Sequence, residues 1–204
     1  MRHTMFGVAW LASTLAVGGC TTIRETDATP TASQELLVST AAERAVDRLD
    51  LRIPSGTKVF LDTADFEGTQ SKYVVGAVKD RLLRQGCLLA SDKGQADTIV
   101  EIRAGALSAN EDETLIGIPP IGLPVPMAGA VSLPELALYK AERRKGLAKI
   151  AATTYDAKTG GLVQSTGAQY GTSYKDNWVV LLVFDWSEHD LVPESERQRG
   201  INVQ

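Results

Sequence analysis

Few side chains in this sequence could do chemistry near neutral pH, and their spacing argues against an active site. There are two histidines, His3 and His189, and two cysteines, Cys20 and Cys87. His189 lies in Ser187-Glu188-His189-Asp190, but triad members are brought together by the fold, and neighbours along a chain point apart. No set of histidines and cysteines has zinc-ligand spacing, and no Gly-rich Lys-Ser/Thr loop is present to cradle a phosphate. The carboxylates Asp62, Asp65 and Glu67, and the run Asn110-Glu111-Asp112-Glu113, do not match a calcium loop. We therefore expect no metal, no cofactor and no enzyme; a hydrolase built on carboxylates alone stays open. Lys140, Arg143, Arg144, Lys145 and Lys149 form the basic cluster, read as a solvated hairpin tip or as a contact for anionic lipid headgroups. The net charge of −4 excludes nucleic acid as the expected partner, because phosphate binding needs a cationic surplus.

Cys20 is the exception to this chemical poverty. It follows Arg2, an apolar stretch from Phe6 to Val17, and the small residues Gly18 and Gly19. A basic start, about a dozen apolar residues and small residues at the cut describe a secretory signal peptide. The stretch falls short of the ~20 apolar residues that a spanning helix needs. Leu15-Ala16-Val17-Gly18-Gly19-Cys20 resembles a lipobox, the cleavage motif of bacterial lipoproteins, which implies cleavage before Cys20 and acylation of its thiol. The alternatives are an ordinary signal followed by a chance cysteine, or a Cys20–Cys87 disulfide. With Cys20 acylated, Cys87 is expected as a small buried hydrophobe. Thr21, where inner-membrane lipoproteins commonly carry Asp, implies by resemblance the outer membrane, facing the periplasm.

The elements behind these residues divide the chain into a signal peptide (1–19), a lipid-anchored polar tether (20–31), a single α+β domain (32–193) and a polar, frayed tail (194–204). Thr31 or Ser33 caps a helix to about Leu49, with Val38, Ala42, Ala45 and Leu49 on one stripe. Lys58–Asp62 reads as a strand, and Thr69 to Gln85 as a helix stopped by Gly86 in a left-handed cap. Cys87 to Ala90 is a short strand. From Thr98 the alternation puts Val100, Ile102, Ala104 and Ala106 on one face. Leu136 to Glu142 reads as a strand that turns at Arg144-Lys145-Gly146 into Leu147–Tyr155. Asp156 to Gly161 is a turn into a strand from Leu162 to about Tyr170. The expected fold is α+β, two helices on one face of a mostly antiparallel sheet with a Pro-rich insertion.

This order, carried by Val59–Asp62, Ala96-Asp97-Thr98-Ile99-Val100-Glu101 and Tyr155-Asp156-Ala157-Lys158-Thr159-Gly160, resembles the periplasmic core of the curli secretion channel lipoproteins over roughly Lys58 to Tyr170. The chain also resembles bacterial lipoprotein families built on a domain of unknown function. In the curli family two β-hairpins per subunit join a membrane barrel. Here residues 107–134 hold Pro119, Pro120, Pro124, Pro126 and Pro134, and proline supplies no ladder donor. The segment is therefore not expected to form a regular strand pair, and the resemblance stops short of implying a pore.

Two apolar segments remain. Ile118, Pro119, Pro120, Ile121, Leu123, Pro124, Val125 and Pro126 form a pre-extended loop, either a docking surface or a cover over its own sheet. Trp178 to Trp186 reads as a central strand buried on both faces, with interfacial aromatics as the alternative. The expected function is that of a non-catalytic envelope lipoprotein. It is lipid-anchored in the membrane and binds an envelope protein partner or itself through the proline loop. The alternatives are a lipid- or glycan-handling accessory and an oligomeric secretion component.

Overall fold

The computed structural model describes residues 20–25, 31–68, 70–125, 129–192 and 194–197. The signal segment, most of the expected tail and Pro126 lie outside these residues. Strand β1 (Cys20–Glu25) precedes helix α1 (Ala32–Asp47), β2 (Lys58–Asp62), α2 (Ser71–Arg84) and β3 (Leu88–Leu89). Then come β4 (Thr98–Ile118), β5 (Ile121–Val125), β6 (Gly129–Leu133), β7 (Leu136–Asp156), β8 (Leu162–Val180), β9 (Phe184–His189) and one helical turn, α3 (Glu194–Arg197). The fold is α+β, as expected from the alternation of periods. A seven-stranded sheet runs β3-β2-β4-β7-β8-β9, with β1 on β4; β5 and β6 pair separately. Among the described residues only the β2–β3 and β2–β4 pairings are parallel.

The local grammar explains the helices. Thr31 accepts from the Gln34 backbone while the Gln34 side chain accepts from the Thr31 backbone, a reciprocal cap that satisfies two otherwise orphaned donors. Gly86, at φ 83°, ends the α2 segment as expected. The expected stripe of α1 is buried, and α1 adds Leu37 and Ala41 to it. On α2 the buried residues are Val74, Val78 and Leu82. Ala41, Ala42, Ala45, Leu49 and the α2 face meet Val59, Val100, Ile102, Ala148, Ile150 and Ala152 of the sheet in one core, while Leu37 and Val38 pack with Ala109, Leu191 and Val192 in a second cluster. Cys87 is 2 % exposed and free, as a buried hydrophobe should be.

Helix α1 lies unusually close to β7 and β8, and two glycines permit it. A Cβ on Gly171 would fall 1.9 Å from the Ala41 carbonyl oxygen, and one on Gly146 would fall 2.3 Å from that of Leu37. Between them the buried Ser173 hydroxyl donates to the Leu37 carbonyl at 2.7 Å. Gly146 is therefore no turn. The Arg144-Lys145-Gly146 turn expected from the sequence does not form, and β7 runs unbroken through it because a helix needs the space.

Three other expectations are corrected. Cys20–Glu25, read as the start of a free tether, is paired antiparallel with Leu115–Asn110 of β4. A bulge between Ala104 and Ala106 shifts the register, so Leu107, not Ala106, opposes Ala148 on the core side. The segment 107–134 is a strand to Ile118 followed by the β5–β6 hairpin, in which Pro124 opposes Ala130. A two-stranded sheet is all edge, and an edge is where a proline's missing donor does no harm.

Candidate functional site

Strands β4, β7 and β8 are 21, 21 and 19 residues long, about 65–70 Å at ~3.3–3.4 Å per residue. Helices cover only one half. The other half, from about Asn110, Lys145 and Tyr174 outward, is an arm flanked by β1 and β9, and it holds the features worth a functional reading.

The first is a charged belt at the base of the arm. On the helix side, Lys140 lies 3.2 Å from each of Glu113, Glu135 and Glu142. Arg144 reaches Glu111 at 2.9 Å and Glu142 at 3.2 Å. Burial works against the Lys140 charge, yet the three carboxylates outweigh it and hold its pKa well above the ordinary lysine value. The Glu111 carboxylate does the same for Arg144, against a smaller penalty from burial. Lys175, 2 % exposed, opposes Arg144 in the same row; burial, aided by repulsion from Arg144 and opposed by Glu142, pushes its pKa down. On the outer face Arg143 opposes Asp112 and Asp176. Burial raises the Asp176 pKa, against the pull of Arg143 and Lys145. The basic cluster is thus not a solvated hairpin tip: its residues sit mid-strand, where Lys140 and Arg144 pair with glutamates, Arg143 opposes two aspartates and Lys149 lies over the Tyr170 ring at 5.5 Å.

Beyond the belt the arm turns apolar. Trp178 and Trp186 oppose one another and stack, with ring centroids 5.7 Å apart and planes at 20°. The chain turns at Leu181–Val183, so Trp178 to Trp186 is a hairpin end and not a buried central strand. Val183 and Phe184 are 71 % and 62 % exposed, and Leu181, Leu182 and Trp186 are exposed with them. Leu181 and Leu182 both adopt positive φ, 51° and 66°, a region that favours Gly, Asn or Asp. The backbone of Leu181 donates to the Leu138 carbonyl at 2.9 Å, which joins this turn to the start of β7, where Leu136 and Leu138 are also exposed.

The proline segment belongs to the same end. Ile118 opposes Leu136, and Ile118, Pro119, Pro120 and Ile121 are exposed. Leu123, Pro124 and Val125 lie in β5, and Cys20 begins β1. Sequence reasoning found this segment but missed its neighbours Leu136, Leu138 and 181–184, whose apolar run resembles a core strand.

Elsewhere the chemistry is sparse. Asp190 accepts from Arg44 and from the Tyr174 backbone, and Glu188 accepts from the Tyr174 hydroxyl at 3.3 Å. The carboxylates beside His189 are thus engaged in holding β9 and α1 to β8. Among the described residues no group of three or more His, Cys, Asp or Glu is placed to hold a metal ion, and no helix is long and apolar enough to cross a membrane. A groove of about 830 Å³ between α1 and α2 mixes both charges, with Glu43, Asp47 and Asp80 facing Lys72, Arg81 and Arg84.

Fold and arm together define an α+β core with an antiparallel β-arm, charged at its base and apolar at its end. The chain belongs to a family of unknown function, DUF6655, whose model matches residues 14–184. The match therefore takes in both the helix-covered core and the arm. No curated protein matches the chain.

Proposed function

We propose that this protein is a non-catalytic lipoprotein of the cell envelope. It is anchored through Cys20 at the outer membrane, faces the periplasm, and works by assembling with further copies or an envelope partner through its β-arm. The lipobox-like sequence before Cys20 supports the anchor. The observation that carries the assembly is the state of the arm's borders. Among the described residues β1 pairs only with β4 and β9 only with β8, leaving an open outer edge on each side of an apolar end. Open edges offer unpaired N–H and C=O groups to an incoming strand. By contrast, the free edge of β8 nearer the core is covered. Arg44 donates to the Thr172 carbonyl at 2.6 Å, Arg48 donates to that of Tyr170, and Gln164 exchanges hydrogen bonds with the 50–52 backbone. One stretch of edge is blocked and another is left open, as a protein that adds strands at chosen places requires.

A secretion-component reading, in which arms from several copies close into a ring, draws on the same edges and on the strand character of residues 98–118, 121–125 and 129–133. Negative-stain imaging of detergent-extracted protein tests assembly. Discrete oligomers are expected, and a uniform population of monomers with no co-purifying protein overturns the proposal. Membrane fractionation of Cys20→Ala tests the anchor. The variant should leave the membrane fraction, and full retention after a high-salt wash overturns it.

A further inference from the structure

We infer that the apolar end of the arm is seated in the hydrocarbon of the same bilayer that holds the Cys20 lipid, with the Trp178–Trp186 stack at headgroup level. The inference rests on the lipoprotein reading above and names the occupant of the apolar end.

The strand register carries it. Cys20 opposes Leu115, Leu115 opposes Lys140, Lys140 opposes Val179 and Val179 opposes Asp185, one row across five strands. The next row toward the core is Thr21, Thr114, Ala141, Trp178 and Trp186. The row after that holds Glu113 and Glu142, whose carboxylates reach outward past the tryptophan row to Lys140 in the Cys20 row. In the opposite direction come Ile116, Tyr139, Val180 and Phe184, then the apolar end, where Glu135 is the one charge and folds back onto Lys140. The tryptophans and the last exposed charge, Asp185 one residue from Trp186, share the boundary, and the exposed side chains Val183 and Phe184 lie beyond it, in the order of interface and acyl chain. The acylation site falls at the boundary, where a lipid anchor must enter.

Two features of the end are poor choices for water and good ones for lipid. Positive φ at Leu181 and Leu182 is a conformation that Gly or Asn adopts more easily, so apolar side chains are held there against backbone preference. From Thr114 to Pro134 the sequence has no charged residue and five prolines. Each proline removes an N–H that would otherwise need a partner in hydrocarbon, where an unsatisfied donor is costly. The one carboxylate just past this stretch, Glu135, reaches back to Lys140 at 3.2 Å. From the Cys20 row to Ile118 the arm advances only about 10 Å, within one leaflet of a hydrocarbon core ~30 Å thick. The sheet edge exposed beyond that row is correspondingly short, as lipid demands.

The tryptophans are the reporters. The protein extracted with its anchor, expressed in a Trp10→Phe background so that any uncleaved chain adds no signal, is reconstituted into phosphatidylethanolamine–phosphatidylglycerol vesicles containing lipids brominated either near the headgroup or near the chain end. Trp178 and Trp186 emission should shift to the blue, and headgroup-proximal bromine should quench it more than chain-end bromine. Adding Val183→Asp and Phe184→Asp should leave the protein on vesicles through Cys20 but abolish the quenching, with an unchanged far-ultraviolet dichroism. Adding Cys20→Ala instead should weaken retention, yet at saturating lipid the quenching should persist, because the apolar end does not depend on the acyl chains for its affinity. Tryptophans that stay open to aqueous iodide on vesicles overturn the inference. So does quenching that survives the double aspartate variant. A blue shift on self-association without bromine quenching also overturns it, since a second copy then covers the end. Monomers by negative stain with strong quenching would sink the assembly reading and leave this one standing.

Discussion

The same three strands, β4, β7 and β8, behave differently in their two halves. In the half under the helices, the inward positions are Val100, Ile102, Ala148, Ile150 and Gly171, small or apolar residues packed to exclusion of water. In the arm the same face continues, past the β4 bulge, as Glu111, Glu113, Lys140, Glu142, Arg144 and Lys175. Backbone pairing does not distinguish the halves. What differs is what each face is given to meet: two helices in one case, its own counter-charges and an uncovered apolar end in the other. Strand continuity is thus a poor guide to where a domain's core stops.

Substitutions that ignore this difference should have unequal effects. Ile102→Asp puts an unpaired carboxylate in the core, at several kcal/mol against a total stability of about 5–15, and should unfold the domain, whereas Glu101→Ala should not. Equal thermal stability of the two would break the comparison. Gly171→Val drives a side chain into the α1 backbone and should cost about 3 kcal/mol in a denaturant melt.

In the arm the expected effects are smaller. Lys140→Met leaves three carboxylates facing one another and should lose about 2 kcal/mol. Because folding raises the Lys140 pKa, the stability it contributes is complete below the ordinary lysine value. It is lost only as pH climbs through the raised folded value. Lys175 has the opposite sign. Its folded pKa is lowered, so the unfolded chain binds the proton more tightly. Stability therefore rises with pH between the lowered value and the ordinary one. Lys175→Met should flatten that alkaline rise and add about 1 kcal/mol at neutral pH, read by thermal melts across pH. Val183→Asp, at the exposed turn, should move the melt by no more than about 0.5 kcal/mol in detergent.

What could be read from the sequence follows the same divide. The capping box at Thr31 and Gln34, the stop at Gly86 and the turn from Asp156 to Gly160 are local devices. Asp156 accepts from the backbones of Lys158 and Thr159 at 3.0 and 2.7 Å, within the turn itself. Such signals are complete in a few residues. Gly146 and the 140–145 cluster look like a turn because their partners, Leu37, Glu111 and Glu113, are far away in the chain. The 178–186 run looks like core because nothing in its composition marks a turn through two leucines. Of the candidate surface, Ile118 to Ile121 was legible from proline chemistry. The strands that join it to 136–138 and 181–184 were not, since only register brings them together.

The hydrogen bond between Ser173 and the Leu37 carbonyl spans 136 residues. For a chain made from its N-terminus at ~5–20 residues per second, roughly seven to thirty seconds separate α1 from the strand that shelters its most buried face. The first helix synthesised is among the last to be covered. Its alanines, Ala41, Ala42 and Ala45, are also its least sticky choice of core residue. Close packing on two glycines gives α1 a face that is small enough to wait.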